Sequence, residues 1–247
     1  MRFQNKVAII TGAASGMGLL TAQKFVAEGG KAVLTDIDAG AVEMAAAEIR
    51  RGGGEALGLQ VDVRDYNQVR DAVSRAIEKF DRVDVMHNCA GGSSTRIFGR
   101  KEPFHELPIE VIDWGLDVNL KGAVYFSHAV LGVMIRQKSG VILNMGSVTG
   151  LEGGAGAVDY STAKSGIIGL TKSLALCGAP HGVRACCVSP GPVMTRPGMA
   201  NMKTRLGRAA EPWEVVELIL YLCSDKAAFI TGSNHLIDGG RLCGGMD

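Results

Sequence analysis

The sequence predicts an α/β fold in which a doubly wound parallel sheet is covered by helices on both faces. Three observations carry that expectation. Short apolar runs alternate with longer helical patterns along the whole chain, and such alternation implies right-handed strand–helix–strand crossovers. The strand runs are short and apolar, as strands buried on both faces are. A glycine-rich turn, Thr11-Gly12-Ala13-Ala14-Ser15-Gly16-Met17-Gly18, leads from the first run into the first helical pattern.

Taken in order, Val7–Thr11 reads as a strand and Gly16–Glu28 as a helix. Ala32–Asp36 is a strand, Ala39–Arg51 an alanine-rich helix, and Gly52-Gly53-Gly54 a helix stop and turn. Ala56–Val61 is a strand. Asn67–Phe80 is a helix with Val69, Ala72, Val73, Ala76 and Ile77 on one stripe. Val83–Asn88 is a strand, and Ile109–Met134 covers one long or two joined helices. Gly140–Met145 is a strand, Tyr160–Ala179 a helix, Val183–Ser189 a strand, Pro212–Cys223 a helix and Asn234–Asp238 a last strand. No linker or repeat interrupts the series, so residues 1–247 are expected to form one domain.

Composition narrows the function classes. The chain is 47% hydrophobic and 21% charged, in the range of a globular protein. A net charge of +1 gives no electrostatic argument for nucleic acid or an anionic membrane. No run of about 20 apolar residues occurs, so no membrane span is expected. The N-terminus lacks the apolar stretch and cleavage site of a signal peptide, and a cytoplasmic location is expected. The six cysteines (Cys89, Cys177, Cys186, Cys187, Cys223, Cys243) form no Cys-x-x-Cys pair or zinc-spaced cluster. They read as buried free thiols, with Cys243 exposed near the C-terminus and Cys186 and Cys187 on opposite faces of a strand. The scattered histidines suggest no metal site.

Two segments carry chemistry. In the glycine turn, Gly12, Ser15, Gly16, Met17 and Gly18 follow a strand and open a helix. There the backbone can approach a pyrophosphate, and the helix N-terminus offers N–H donors and a favourable dipole. The spacing is Gly-x-x-x-Gly-x-Gly rather than Gly-x-Gly-x-x-Gly, and no Gly-Lys-Ser/Thr follows as in an ATP loop. Asp36, followed by Ile37, closes the second strand. An acid there accepts hydrogen bonds from the adenosine ribose and repels a 2′-phosphate, which favours NAD(H) over NADP(H).

The second segment is Tyr160-Ser161-Thr162-Ala163-Lys164, with Ser147 upstream. On a helix, positions i and i+4 share a face, so Tyr160 and Lys164 can share a site. A neighbouring cation favours a phenolate, and such a tyrosine can exchange a proton with an alcohol.

These motifs, with Asn88-Cys89-Ala90-Gly91, Asn119 and Pro190-Gly191 in the same order, resemble the short-chain dehydrogenase/reductase family in its shorter, "classical" form, from Asn5 to about Arg241. The resemblance implies a Rossmann-type fold, NAD (NADH) as cofactor and a small-molecule substrate. It implies that Asp62 and Val63 hold the adenine and that the backbone of Asn88, Ala90 and Gly91 borders the cofactor. Cys89 replaces the family's second asparagine. It implies that Pro190, Gly191, Val193 and Thr195 sit beside the nicotinamide. Asn119 is implied to kink the long helix and hold a proton-relay water. Ser147 would bind the substrate oxygen, Tyr160 would move its proton, and Lys164 would assist Tyr160 and bind the ribose. The family also implies a homotetramer packed through the long helices, with Ala123–Val133 and Ile167–Leu176 apolar enough to serve, and through the C-terminal strand.

Substrate choice falls to two loops, at about 92–108 and 190–212. The first looks long; the second has little room for the usual pair of lid helices. Arg96, Arg100 and Lys101, and more weakly Arg205 and Arg208, are candidates to hold an anion. Val148, Thr149, Gly150, Leu151, Gly153, Gly154 and Val158 suggest a small or apolar wall, Glu152 being the exception. A sugar, polyol or hydroxy acid ranks first as substrate. A 3-oxoacyl thioester reductase and a hydroxysteroid dehydrogenase follow, and a non-catalytic dinucleotide-binding regulator stands as the alternative from another class.

Overall fold

The computed structural model describes residues 1–202 and 204–244. Its centre is a seven-stranded sheet of β1 (Val7–Thr11), β2 (Lys31–Asp36), β3 (Glu55–Gln60), β4 (Val85–Asn88), β5 (Gly140–Met145), β6 (Val183–Pro190) and β7 (Asn234–Ile237). All pairs are parallel and the order is β3-β2-β1-β4-β5-β6-β7. This is the Rossmann-type doubly wound arrangement, with its order reversing between β1 and β4.

Side chains on alternate strand positions point to opposite faces, and the burial follows that period. Ala8 and Ile10 of β1 join a core with α1 (Gly16–Ala27), α2 (Ala39–Arg51) and α9 (Pro212–Cys223), through Phe25, Val42, Ile49, Val216 and Ile219. Val7 and Ile9 face a second core with α3 (Tyr66–Phe80), α6 (Gly122–Gln137) and α8 (Val158–Gly178), through Val69, Val73, Phe126, Val130, Met134 and Leu174. On α3 the fully packed stripe ends in Phe80 rather than Ile77, which is only partly buried. Helix starts are fixed locally. Asp38 accepts the Ala41 N–H at 2.9 Å, Asp65 accepts the Asn67 N–H at 2.8 Å, and Glu211 and Glu214 form a capping box.

The long helical stretch is two joined helices. α5 (Ile109–Leu116) passes through a π-helical segment, Asp117–Lys121, into α6. Asn119 lies in that segment, and its side-chain amide donates to the Gly115 carbonyl at 2.8 Å. That is the carbonyl four residues back, which an α-helical ladder would offer to a backbone N–H. By length and composition, Ile109–Gln137 would suffice to cross a membrane, at a mean hydropathy of 1.3. Its apolar side instead packs on the sheet through Phe126, Val130 and Met134.

Short elements escaped the periodicity reading, because four residues are too few to show a period. α4 (Ser94–Ile97) lies in the first loop and α7 (Thr149–Glu152) follows Ser147. In the second loop one 3-10 turn, Pro197–Asn201, stands where a pair of helices has no room. Two cysteines differ from expectation: Cys89 is only half-buried, and Cys177 is exposed, as Cys243 is, because it lies on the outward side of α8 beside exposed Leu176. Cys186 and Cys187 are buried on opposite faces of β6.

Candidate active site

The carboxyl ends of the strands border two adjoining cavities at the point where the strand order reverses. One, of about 250 Å³, is lined by Gly12, Ser15, Asp36, Ile37, Asp62, Val63, Arg64, Ala90 and Gly91 among others. The other, of about 300 Å³, includes Met17, Gly91, Ser147, Tyr160, Lys164, Pro190, Gly191, Val193 and Thr195 in its lining. Cys89 and Gly91 belong to both. A larger cavity, of about 460 Å³, opens at the amino ends of the strands among Lys6, Asp84 and Arg184, away from these groups.

The glycine turn is shaped by close approach. Gly12 has φ +62°, and a Cβ there would lie 2.8 Å from the Ala90 Cα. A Cβ on Gly18 would lie 2.4 Å from the Gly12 carbonyl oxygen. Gly16 meets nothing nearby but has φ +57°, and neither it nor Gly18 lines either cavity. Thr11 joins the turn to the β4 loop, its hydroxyl accepting the Cys89 and Ala90 N–H groups at 2.9 Å each. Ser15 precedes α1, is exposed at the cavity lining, and its hydroxyl caps nothing. Asp36 is held by the turn, accepting from Ala14 N–H at 3.1 Å and Asp38 N–H at 3.2 Å. One cation, Arg64, lines this cavity, and it is bound to Asp62, with Nη2 at 2.6 Å. The Arg64 guanidinium holds the Asp62 carboxyl below its ordinary range.

The second cavity gathers side chains from β5, α7 and α8. Ser147 follows β5 and is buried; its Oγ accepts from the Thr149 hydroxyl at 3.0 Å and the Thr149 N–H at 3.2 Å. With its oxygen accepting, its own proton is left to donate. Tyr160 and Lys164 lie one turn apart on α8, the Lys164 ammonium 5.5 Å from the tyrosine ring centroid. Lys164 is buried at 4% exposure and donates to the Met145 carbonyl at 2.7 Å. It has no carboxylate partner among the described residues. A buried ammonium with three donors and one acceptor calls for further acceptors, and ribose hydroxyls fit. Together with the cradle around Gly12 and the uncapped Ser15, this donor set fits a nicotinamide dinucleotide.

Asn119 reaches the site through the backbone. Its amide donates to the Gly92 carbonyl and its oxygen accepts the Gly92 N–H, both at 2.9 Å. A Cβ on Gly91 would lie 2.4 Å from that oxygen and 3.5 Å from Lys164 Nζ. Asn88 stands behind the wall. Its side chain donates to Asn144 at 2.8 Å and Ser127 at 3.2 Å, and it lines neither cavity. Cys89 keeps the backbone bond to Thr11 despite the exchange of side chain. Burial raises its thiol, with Lys164 acting in the opposite sense.

Of the candidate anion-holding residues, only Arg96 lines the second cavity. Arg100 pairs with Glu102 at 2.8 Å and Arg208 with Glu214 at 2.6 Å; Lys101 is exposed, and Arg205 donates to the Cys243 carbonyl at 3.4 Å. The sequence reading missed Arg196, which stands in the lining next to Thr195. Its adjacency to the Pro190–Thr195 segment was the signal available. It also missed Asp159, a buried acid one residue before Tyr160. Asp159 accepts a short hydrogen bond from Ser94, tying α4 to α8. A Cβ on Gly115 would sit 1.7 Å from that carboxylate, so a glycine is needed there. Glu152 is bound by Arg241 at 3.0 Å and does not line the cavity.

Known proteins match this chain over most of its length. The family described as short chain dehydrogenase matches residues 6–205. The meso-2,3-butanediol dehydrogenase of Serratia marcescens is 38% identical, over 97% of this chain and 96% of that protein. The cis-4-hydroxycyclohexanecarboxylate dehydrogenase of Sinomonas cyclohexanicum is 36% identical, over 96% of this chain and 97% of that protein. Among solved structures, that of gox2181 matches with a TM-score of 0.91 at 30% identity, over 98% of both chains.

Proposed function

We propose, from the premise that the chain belongs to the short-chain dehydrogenase family and is an oxidoreductase acting on CH–OH groups, that it interconverts a secondary alcohol and a ketone using NAD(H). One observation carries the reading: Ser147, Tyr160 and Lys164 line one cavity that adjoins the Asp36 cavity through Cys89 and Gly91. The nicotinamide, when bound, takes or gives the hydride. In the oxidative direction the Ser147 hydroxyl donates to the substrate oxygen and fixes its position, and Tyr160 takes the hydroxyl proton. Lys164 holds the ribose with the donors that Met145 leaves free, and its charge lies beside the tyrosine ring. Asn119 fixes Gly92 and holds the water through which protons reach Lys164 and solvent. The reverse direction reduces a ketone, with Tyr160 as the acid.

On the adenosine side, Asp36 accepts from the ribose hydroxyls, and Asp62 and Val63 border the adenine. A 2′-phosphate would meet the Asp36 carboxylate with Arg64 already bound to Asp62, which supports NAD(H) over NADP(H). Sugars, polyols and hydroxy acids remain the first substrate class. The butanediol and hydroxycarboxylate named for two relatives fall within it. The assembly proposed is a homotetramer through α6, α8 and β7, which leave Val124, Leu176 and Leu236 exposed. Light scattering checks it; a clean monomer would refute it.

The test of the reaction is NAD-linked oxidation of a panel of secondary alcohols by the wild type and by Tyr160→Phe. The proposal expects the variant to lose roughly 10²–10⁴-fold in turnover, the usual range for a general acid–base group, while NADH binding is largely kept. Equal turnover in the variant would overturn it.

A further inference from the structure

The cavity that holds Ser147 and Tyr160 is one-sided in charge. Among the described residues three cations line it, Lys164, Arg96 and Arg196, and no carboxylate does. Arg96 comes from α4 in the first loop and Arg196 from the segment after Thr195, so each of the two loops that border the substrate opening contributes one arginine. Neither has a hydrogen-bond or ion-pair partner for its guanidinium among the described residues. Other arginines nearby are neutralised within the protein: Arg100 by Glu102, Arg208 by Glu214 and Arg241 by Glu152. Glu152, the only acid between Ser147 and Val158 in the sequence, is paired with Arg241 and stands outside the lining.

Arg96 is also placed. A Cβ on Gly92 would lie 2.9 Å from Arg96 Nη2, so the guanidinium lies against the Gly92 backbone that Asn119 fixes. The start of its helix is pinned as well, by Ser94 on Asp159 and by Thr95, which donates to the Gly156 carbonyl at 3.2 Å. Cations gathered in one cleft raise the local concentration of anions. The arginine fork matches a carboxylate in two parallel hydrogen bonds.

We infer that the substrate carries a carboxylate besides its carbinol, and that Arg96 and Arg196 bind it. The substrates are then hydroxy acids and the corresponding oxo acids. The inference rests on the alcohol–ketone reading above. The reaction balances as hydroxy acid plus NAD⁺ giving oxo acid, NADH and a proton, with the carboxylate unchanged. The volume of about 300 Å³, shared with the nicotinamide end, restricts the acid to a small one.

The test has a binding arm and a turnover arm. In the first, the enzyme with NADH is titrated with cyclohexanecarboxylate and with cyclohexanecarboxamide, which have no carbinol to react, and NADH fluorescence is followed. The carboxylate is expected to bind about tenfold more tightly or better, as charge-assisted pairs do. That preference should vanish in Arg96→Gln/Arg196→Gln and survive in part in Arg96→Lys. In the second arm, kcat/KM is compared for small hydroxy acids, their amides and their coenzyme A thioesters. The hydroxy acid is expected to lead, and its lead over the amide to fall at least tenfold in the double variant through KM. Equal binding of acid and amide would overturn the inference. So would a loss confined to NADH affinity, which would assign the arginines to the cofactor phosphates, or a preference for the thioester, which would assign them to the coenzyme phosphates. Selective carboxylate binding without turnover of any alcohol would support the anion site while refuting the reaction.

Discussion

The two cavities along the carboxyl edge of the sheet share a wall and differ in sign. Around the glycine turn the charged lining is Asp36, Asp62 and Arg64, with the arginine already bound to Asp62. Around Tyr160 it is Lys164, Arg96 and Arg196, with no acid among the described residues. The fold places both cavities at the strand ends, but it does not set their charge. On the reading proposed above, the first disfavours an extra phosphate on the cofactor and the second favours an anion on the substrate. Selectivity at the two ends thus comes from a few side chains on loops, over a common backbone frame.

The contrast can be broken at its centre. Lys164→Ala removes the cation nearest the shared wall. It should lower turnover by about 10³-fold or more, with weaker NADH binding as well, since both the tyrosine and the ribose lose a partner. Steady-state kinetics with a fluorescence titration separates the two effects. A variant that loses only cofactor affinity would remove Lys164 from the chemistry.

At the acidic end, Asp36→Ala should weaken NADH by roughly tenfold or more, the worth of hydrogen bonds to a charged group, about 1.5–3 kcal/mol. NADPH should lose less, so the ratio moves toward NADPH. An unchanged ratio would mean that Asp36 serves only the turn, through Ala14 and Asp38.

How much of this was legible depends on how local each feature is. The glycine turn, Asp36 and the Tyr160/Lys164 pair are read from spacing of a few residues, and the structure brings them to adjoining cavities. At the α5–α6 junction the sequence does not separate one helix from two, because a π segment keeps the apolar run unbroken. Arg196 and Arg96 are one hundred residues apart in number, and only the folded chain shows that both line one cavity. Arg100 looked as good a candidate as Arg96 until its partner Glu102 was seen. Gly115 gave no signal in sequence, since what requires it is a carboxylate from another helix.

A smaller effect concerns the wall that both cavities share. His87 lies two residues before Cys89, fully buried, with neither ring nitrogen bonded. Burial pushes it down to about 3 from 6.5. Its folded value is the lower one, so the unfolded chain binds the extra proton between these limits. Stability should be insensitive to this group above pH 6.5 and fall below it, by up to about 1.4 kcal/mol per pH unit. Urea midpoints at pH 7 and 5 check it. His87→Leu should flatten the acid limb, and an identical limb in that variant would contradict the assignment.

The smallest effect is on thiol chemistry. Cys177 and Cys243 are exposed and should react promptly with a thiol reagent, while Cys186, Cys187 and Cys223 should wait for unfolding. Cys89, at the shared wall, should react slowly and be protected by NADH. Prompt labelling of Cys89 with NADH bound would move the cofactor away from that wall.

The most direct measurement of the account is a fluorescence titration of the wild-type protein with NADH and with NADPH under one buffer. The acid-lined cavity predicts tighter NADH by about tenfold or more, or about 1.4 kcal/mol. Tighter NADPH would contradict the charge assignment at Asp36 and with it the NAD-linked reading of the reaction.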